Sequence, residues 1–355
     1  MTADVVRALG ALAHEAVHTT ATGEPREAPG TACGCPAPVV LADRADGTVV
    51  RLGAVVAKAH APGTDTAALA ARLGPAADPG LAGILLPPLP VPSAAGGAGA
   101  PYLTALHGRP VTLWPYGAPV DPDDPDRAPW EEAGALLARL HRVGPRPAAT
   151  PPPVPGPRDG GADRTGSAAP PPMRGPAKAA LAVARMRAAR PDGPATAPVL
   201  AAWAALPAWA RDEEPAPAHR IRPLCHGDFH LGQLVRRSAW GGWLLIDIDD
   251  LGPGDPAWDL ARPAAWFAAG LLPPGIWDRF LAAYRAGGGP AVRADGDPWP
   301  ELDAAARALT VQTAALALAK CAAERRNPDE VEQVMIDSCA RIAALPPELA
   351  AAEPS

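Results

Sequence analysis

Hydrophobic residues recur with two different periods along the chain, and the two periods fall in different regions. Residues 4–18 repeat apolar side chains at helical spacing, and Asp4 is a suitable N-cap for such a helix. Residues 38–61 instead hold short runs of β-branched residues, interrupted by Asp46-Gly47, which is typical of a tight hairpin turn. The pattern predicts an N-terminal helix followed by two or three antiparallel strands.

Helical periodicity dominates the rest of the chain. It predicts a short helix over 66–73, capped by Thr64-Asp65, and longer helices over 130–143, 177–190, 197–211 and 303–345. The last of these regions contains Asn327-Pro328-Asp329, which is typical of a helix start. Because strands come early and helices late, the sequence predicts an α+β fold with a small sheet-rich lobe and a larger helical lobe.

Residues 145–176 interrupt the helical region. They contain 11 prolines in 32 positions and almost no large apolar side chains. This composition is typical of an extended or disordered insertion rather than of a packed element. The whole chain of 355 residues is 48% hydrophobic and 20% charged, which is enough to build two packed lobes around such an insertion.

Net charge and hydropathy narrow the range of partners. The formal charge is −6 and no dense basic stripe is present, so nucleic acid is not an expected partner. The first 20 residues lack the basic start of a signal peptide, and no apolar run is long enough to span a membrane. We therefore expect a cytoplasmic protein that does not insert into membranes and has no obligate protein partner.

The five cysteines form an odd and sparse set. Cys33 and Cys35 make a lone CxC pair, and the other three lie in apolar surroundings. A zinc site would need a second cysteine pair or a nearby histidine pair at a suitable spacing, and we expect neither here. Reduced cysteines in a reducing compartment are the expectation.

Most of the candidate chemistry lies between residues 224 and 261. His226-Gly227-Asp228 reads as a turn, and Gln233 follows the aspartate by five residues. The apolar strand Trp243-Leu244-Leu245-Ile246 ends directly before Asp247. A carboxylate such as Asp228 can accept a proton from a hydroxyl group, and the other two side chains offer the oxygen ligands that Mg²⁺ prefers. Phosphoryl transfer needs this combination together with a cation for the nucleotide phosphates.

Lys58 is the candidate cation. The chain has only three lysines, and Lys58 is the only one within the first 177 residues. It ends the apolar strand Val55-Val56-Ala57, and because side chains alternate along a strand, it shares a face with Val56. An ammonium group in this position is suited to reach phosphate groups.

These motifs resemble a known family. HGDFHLGQ, followed by IDIDD and GDPAWDLA, is similar to the aminoglycoside phosphotransferase and maltokinase-like group, small-molecule kinases with a two-lobed, protein-kinase-like fold. The resemblance implies Asp228 as catalytic base, Gln233 and Asp247 as metal ligands, and Lys58 as the lysine that pairs with phosphate. It also implies ATP and Mg²⁺ as cofactors.

A second segment resembles the hinge of these kinases. VTLWPYG, residues 111–117, is similar to the strand whose backbone contacts adenine, which nominates Leu113, Trp114 and Tyr116 for nucleotide binding. The resemblance then divides the chain into an N-terminal helix and loop as a reduced cap (1–37), a nucleotide-binding lobe (38–110), a hinge (111–118) and a helical lobe with the catalytic and metal site (119–355).

Further side chains are assigned supporting parts. His226 is expected to brace the catalytic loop by hydrogen bonding to backbone, and Asp259 to anchor that loop. Asp255, followed by proline, is interpreted as a helix N-cap.

Four more residues are candidates for the acceptor or for a second metal ion. Asp249 and Asp250 adjoin the predicted metal ligand, and Trp299 and Glu301 follow in the same C-terminal region. Aromatic faces suit sugar rings, and acids suit an amino group.

The chain departs from the family pattern in three places. Gln233 stands where most members have asparagine, as it does in maltokinases. Asp249 replaces the glycine of the usual Asp-Phe-Gly. The glutamate expected to pair with Lys58 is missing, since only Asp65 and Asp78 are acidic between that lysine and the hinge.

The acceptor is expected to be a small hydroxylated molecule. The closest resemblance is to actinobacterial glucosamine kinases, which make glucosamine 6-phosphate from ATP and glucosamine. An aminoglycoside O-phosphotransferase and a maltokinase are the alternatives of the same class. A catalytically weak, kinase-fold binding protein is the alternative of another class, favoured by the missing glutamate.

Overall fold

The computed structural model describes residues 2–18, 34–44, 46–92, 101–124, 127–144, 169–189, 194–217, 223–237 and 241–345. These residues form two compact units. The first contains the described residues up to Val120, residues 169–171 and Leu234–Asp249; the second contains those from Asp121 to 144, Pro172–Gln233 and those from Asp250 onward.

The first unit is built on a five-stranded antiparallel sheet behind an N-terminal helix. Helix α1 spans Thr2–His18, and the strands are β1 (Val39–Arg44), β2 (Gly47–Leu52), β3 (Val55–His60), β4 (Thr104–Leu106) and β5 (Arg109–Pro115). Their spatial order is β1-β2-β3-β5-β4. The predicted turn at Asp46-Gly47 joins β1 to β2, so the early hairpin is confirmed.

Alternation along the strands positions the core of this unit. In β2 and β3 every second side chain is buried, and these residues face the apolar stripe of α1. The buried set on this interface is Val5, Leu9, Leu12, Ala13, Val50, Leu52, Val55, Ala57 and Ala59. Lys58 lies between two of the buried positions and therefore points to the opposite face of the sheet.

The remaining elements of the first unit are a helix and a second, small sheet, whose last strand ends two residues before Asp247. Helix α2 (Thr66–Ala76) begins where Asp65 accepts hydrogen bonds from the backbone of Ala67 and Ala68, as predicted for its cap. Strands β6 (Ala118–Pro119), β8 (Leu234–Arg237) and β9 (Gly242–Leu245) form a second antiparallel sheet.

The grouping of Leu234–Asp249 with the first unit differs from the predicted domain boundaries, which put these residues in the helical lobe. Strand β8 pairs with β6, and the backbone of Leu245 is bonded to Ile84 and Leu86 at 2.8 and 2.9 Å. These hydrogen bonds join distant parts of the chain, so sequence order alone could not reveal them.

The second unit is helical. Its helices are α3 (Trp130–His141), α4 (Gly175–Ala189), α5 (Ala197–Ala204), α6 (Ala257–Ala268), α7 (Pro274–Ala286), α8 (Trp299–Glu324) and α9 (Glu330–Ala343). The long α8 packs against α4, α6 and α9, and α3 packs against α7. Helices α3 and α7 approach closely at Gly134: a Cβ on this residue would lie 2.4 Å from the carbonyl oxygen of Phe280, so only glycine fits there. A short ladder of β7 (Leu224–Cys225) and β10 (Gly252–Pro253) supports the loop that carries Asp228.

Two predicted boundaries are corrected, and the predicted start of the last helix at Asn327-Pro328-Asp329 is confirmed. The helix predicted over 197–211 is broken: α5 ends at Ala204, and a separate 3₁₀ turn, Ala208–Arg211, follows Pro207, which lacks a backbone N–H. The tail consists of two helices, with Asp329 and Glu332 forming a capping box at the start of α9. Helix α4 begins at Gly175, inside the predicted insertion, whose residues 145–168 lie outside the described part of the chain.

Among the helices of the described residues, none combines the length and the hydrophobicity needed to cross a bilayer.

Candidate functional site

Lys58 is paired with two carboxylates in the first unit. Its Nζ lies 2.7 Å from Oδ1 of Asp247 and 2.9 Å from Oδ2 of Asp249. Burial by itself would lower the pKa of Lys58, but the two negative charges outweigh it and raise that pKa well above its ordinary value. The lysine is therefore a fixed positive charge. The glutamate expected to pair with it is missing from the sequence, and these two aspartates are its partners instead.

His60 extends this network and was not identified from the sequence. Its Nδ1 lies 3.1 Å from Oδ2 of Asp249, and its Nε2 lies 2.9 Å from Oγ1 of Thr112 on β5. The side chain is 1% exposed. The signal that could have found it is its spacing: His60 follows Lys58 by two residues on β3, so both point to the same face of the sheet.

Asp247 and Asp249 have the donor chemistry of a divalent cation site. Asp247 adopts φ 63°, a left-handed conformation that is unusual for a residue other than glycine and is often found at functional sites. Oδ1 of Asp249 is buried and has no hydrogen-bond partner among the described residues. An oxygen of this kind, beside a second carboxylate, fits Mg²⁺.

Asp228 lies in the second unit between two cations. Lys178 of α4 places its Nζ 2.7 Å from Oδ2, and Arg262 of α6 places its Nη2 2.9 Å from Oδ1. Burial by itself would raise the pKa of Asp228, but the charges of Lys178 and Arg262 outweigh it and hold that pKa below its ordinary value. Asp228 is thus ionised at neutral pH and has an ordered carboxylate.

Asp250 shares one of these cations. Lys178 Nζ also lies 2.7 Å from its Oδ2, and Arg174 Nε lies 3.3 Å from its Oδ1. The charges of Asp250 and Asp228 raise the pKa of Lys178 against the effect of its burial. Neither Lys178 nor Arg262 was proposed from the sequence, although Lys178 is one of only three lysines, because it precedes the motif by about fifty residues in a region without recognised resemblance.

A small cleft adjoins Asp228 within the second unit. It is lined by Gly175, Lys178, Gly227, Asp228, Phe229, Trp258, Arg262, Leu309 and Gln312. The glycine of the His-Gly-Asp turn is required here: Gly227 has φ 84°, and a Cβ would lie 2.4 Å from the carbonyl oxygen of Asp250.

Asp259 ties the same loop to the helices beneath it. Its carboxylate accepts backbone N–H bonds from His226 at 2.6 Å and Gly227 at 2.7 Å, and lies 2.8 Å from Nε2 of His141. The other ring nitrogen of His141 lies 2.8 Å from the hydroxyl of Tyr284. Burial would raise the pKa of Asp259, but these hydrogen bonds and the nearby histidines hold it below its ordinary value.

The other predicted site residues are distributed over the two units. Gln233 is buried in the second unit, at the end of a 3₁₀ turn after the catalytic loop. Asp255 accepts a hydrogen bond from the backbone of Ala257, one residue further from the helix than a standard N-cap. Trp299 stacks with Phe267 and Trp277, and Glu301 binds Arg293. Neither Trp299 nor Glu301 lines the cleft beside Asp228, and their acceptor role stays a prediction.

The predicted hinge residues belong to or follow β5 in the first unit. Leu113 and Trp114 pair with β3, and the carbonyl oxygen of Leu113 accepts a hydrogen bond from Leu89. The Tyr116 ring lies under the guanidinium of Arg51, 3.4 Å from its centroid. Contact of this segment with adenine stays a prediction.

Comparison with known proteins identifies the family. Residues 55–304 match the family described as "Phosphotransferase enzyme family", which covers both Lys58 and the region from Asp228 to Asp259. The chain belongs to this family. Its members transfer phosphoryl groups to small molecules, as the sequence motifs predicted. A search among curated proteins gave no match.

Solved structures show the same fold at low sequence identity. The aminoglycoside phosphotransferase APH(4)-Ia is 13% identical over 88% of this chain and 95% of its own, with a TM-score of 0.53. Amicoumacin kinase hAmiN, solved with AMP-PNP, Ca²⁺ and Ami, is 14% identical over 86% and 87%, with a TM-score of 0.51. The predicted α+β, protein-kinase-like fold is confirmed.

Proposed function

We propose that this phosphotransferase moves the γ-phosphoryl group of ATP to a hydroxyl of a sugar-sized acceptor, with Mg²⁺ as its metal ion. The observation that carries the proposal is the Asp228 carboxylate, held ionised between Lys178 and Arg262 at a small cleft. A carboxylate in such a position can orient a hydroxyl group and accept its proton.

The remaining parts follow from the family pattern. Bound ATP supplies the phosphoryl group, and Mg²⁺ supplies positive charge for the phosphate oxygens. Asp247 and Gln233 would hold the metal, with Asp249 as a further oxygen donor, and Lys58 would pair with phosphate. For this the ammonium of Lys58 must exchange part of its present contact with Asp247 and Asp249 for a contact with the nucleotide.

Asp228 works in this proposal as a weak base. Its lowered pKa makes it a poor acceptor of a proton from a free hydroxyl group. In phosphoryl transfer through a loose transition state, however, bond formation to the acceptor lags and positioning supplies most of the rate enhancement. A permanently ionised and ordered carboxylate is suited to that task.

The charges around the cleft restrict the acceptor. Asp228 lines the cleft and pairs with Lys178 and Arg262, and the neighbouring Asp250 pairs with Lys178 and Arg174. A polycationic acceptor would meet two cations and no spare acid among the described residues of the cleft. A neutral sugar avoids this repulsion, a sugar with a single amino group meets less of it than a polycation does, and Trp258 lines the cleft with an aromatic ring. We propose glucosamine, with glucosamine 6-phosphate as product, ahead of an aminoglycoside on this charge argument and ahead of maltose on the sequence resemblance.

The proposal is tested by measuring ATP consumption with glucosamine, glucose, maltose, choline and kanamycin in the presence of Mg²⁺. We expect kcat/KM for glucosamine to exceed that for kanamycin by at least about 100-fold, because a mismatch that leaves charges repelled costs roughly 3 kcal/mol or more. Product analysis by mass spectrometry and NMR identifies the phosphorylated hydroxyl.

Three outcomes discriminate between the alternatives. Preferred turnover of kanamycin would overturn the charge argument and favour an aminoglycoside phosphotransferase. Preferred turnover of maltose would favour a maltokinase. Nucleotide binding without turnover of any acceptor would favour the catalytically weak binding protein.

Lys58→Met tests the nucleotide side independently. We expect KM for ATP to rise about 10- to 150-fold, equivalent to about 1.5–3 kcal/mol for a hydrogen bond to a charged group. The matched control is Lys320→Met, because Lys320 is exposed on α8. Steady-state kinetics at varied ATP give the comparison. An unchanged KM in the Lys58 variant would remove this lysine from the nucleotide site.

A further inference from the structure

Two histidines and a cysteine meet in the first unit, in a part of it that phosphoryl transfer does not use. His14 and His18 are one helical turn apart on α1, with ring centroids 4.6 Å apart. His18 Nε2 lies 3.1 Å from Sγ of Cys35, which belongs to the segment before β1. One ligand atom from each of the three residues lies within 4.8 Å of the other two.

We propose that His14, His18 and Cys35 bind Zn²⁺. Imidazole nitrogen and thiolate sulfur are the ligands that zinc prefers, and this set provides two of the first and one of the second. A zinc ion with Zn–N and Zn–S bonds of about 2.0–2.3 Å in a tetrahedron separates its ligand atoms by roughly 3.3–3.8 Å. The 3.1 Å between His18 Nε2 and Cys35 Sγ is just below this range, and the upper limit of 4.8 Å on all three separations lies above it, so side-chain rotation is enough to form the site.

Access and support also fit a metal ion. His14 is exposed, and His18 and Cys35 are half-buried, so an ion can enter from solvent and still be partly shielded. Cys35 packs at the edge of the core that α1 forms with the sheet, which fixes its position. Three protein ligands leave a fourth position for a water molecule.

The role of the ion follows from the connections of its ligands. His18 ends α1, and Cys35 lies 17 residues later, just before the first strand. A zinc ion bound to both would tie the end of α1 to the segment before β1, at the edge of the sheet. Strand β3, which carries Lys58, belongs to the same sheet, so zinc would stabilise the support of that lysine without contributing to the reaction itself.

The expectation of reduced cysteines without zinc is therefore replaced for Cys35. The sequence expectation finds no nearby histidine pair at a suitable spacing, whereas His14 and His18 on the preceding helix form such a pair. His14 and His18 are spaced i, i+4, so they face the same side of a helix, and this spacing is the signal that could have found them.

The test uses the purified full-length protein, to which Zn²⁺ is added. Excess Mg²⁺ is present to compete for the carboxylates near Lys58. We expect a single tightly held zinc ion per chain by elemental analysis. Replacement of Zn²⁺ by Co²⁺ should give thiolate-to-cobalt charge-transfer absorption. Competition with a chromophoric chelator measures zinc affinity, which should fall by at least about 10-fold in each of His14→Ala, His18→Ala and Cys35→Ser. Removing a residue that only supports a metal ligand already costs about 10-fold, so removing a ligand itself should cost at least as much.

Matched controls separate this site from other donors. His107→Asn removes an exposed histidine outside the cluster, and asparagine tolerates its positive φ of 51°. Cys339→Ala removes a thiol whose pKa burial raises to about 12, and Asp249→Asn alters the oxygen site. All three should keep zinc affinity unchanged. Cys33 lies outside the described residues and is retained throughout.

The result that overturns the proposal is equal zinc affinity in the wild type and the three ligand variants, or a Co²⁺ form without thiolate absorption. Zinc binding lost in Asp249→Asn but kept in Cys35→Ser would assign the ion to the carboxylates instead. Because His14 is exposed on a helix, its alanine variant should fold normally, so that loss of zinc there is not a folding effect.

Discussion

Replacing Asp228 with asparagine is expected to lower kcat by about 10²- to 10⁴-fold, the range typical of a lost general base. The amide has the same shape but accepts no proton and contacts Lys178 and Arg262 only through one oxygen. Because Lys58 and Asp247 are unchanged, the dissociation constant for ATP should stay within about 3-fold of the wild type. Steady-state kinetics and nucleotide titration measure the two quantities separately.

The matched control for this variant is Asp303→Asn. Asp303 is a partly buried aspartate on α8 that pairs with Arg307 at 2.9 Å, so the change removes a similar ion pair away from the catalytic loop. We expect wild-type kcat in the control. Wild-type turnover in Asp228→Asn would refute the assigned base, and equal losses in both variants would indicate a general loss of stability.

The pH dependence follows from the direction of the Asp228 shift. The pKa of this carboxyl is lowered by Lys178 and Arg262, so the active, ionised form persists as the pH falls to the ordinary aspartate value of about 3.9. An acid limb of kcat with a midpoint between pH 5 and 7 would therefore belong to another group. The profile of kcat from pH 4 to 8 checks this point.

Local patterns were sufficient for most of the secondary structure. Asp46-Gly47 identified the first hairpin, Asp65 the start of α2, and Asp329 the start of α9, because each of these signals acts within a few residues. The break after α5 was missed, since the periodicity continues across Pro207. The boundary of the first unit was also missed, because the pairing of β8 with β6 depends on contacts between distant segments.

The candidate site divides in the same way. Asp228, Gln233 and Asp247 are nominated by short motifs of recognisable spacing, and their roles stay predictions. Lys178 and Arg262 stand in no such motif, and only the packing of α4 and α6 against the catalytic loop brings them to Asp228. The family pattern puts the partner of Lys58 on the following helix, whereas the two acids that contact it come from a loop about 190 residues later.

Each unit contains a lysine that joins two aspartates. Lys58 contacts Asp247 and Asp249 in the first unit, and Lys178 contacts Asp228 and Asp250 in the second. Carboxylates that are close together and partly buried repel each other, and one would be protonated unless a cation lay between them. Lys178 helps to hold the pKa of Asp228 below its ordinary value, and Lys58 does the same for the pKa of Asp249.

Removing the Asp259 carboxylate should have the largest effect on stability. We expect Asp259→Ala to lower the free energy of unfolding by about 3–5 kcal/mol, the range for removing one partner from a buried charged network. The side chain is fully buried, and its loss leaves the N–H groups of His226 and Gly227 and the ring of His141 without their acceptor. Urea unfolding at pH 7 measures the difference.

The pH dependence of that difference identifies its cause. The pKa of Asp259 is lowered on folding, so its contribution is complete above the unfolded value of about 3.9 and is lost as the pH falls through the folded value. The stabilities of wild type and Asp259→Ala should therefore converge at acid pH.

The matched control is Asp278→Ala, which removes an exposed aspartate of α7 and should stay within about 0.5 kcal/mol of wild type. If Asp259→Ala does not fold, Tyr284→Phe removes the hydroxyl that contacts His141 and that also accepts the backbone N–H of Ala291, and it should still lower the free energy of unfolding by about 1–2 kcal/mol. Wild-type stability in both variants would contradict a stabilising role for this network. The loop that carries Asp228 would then be held by its own turn.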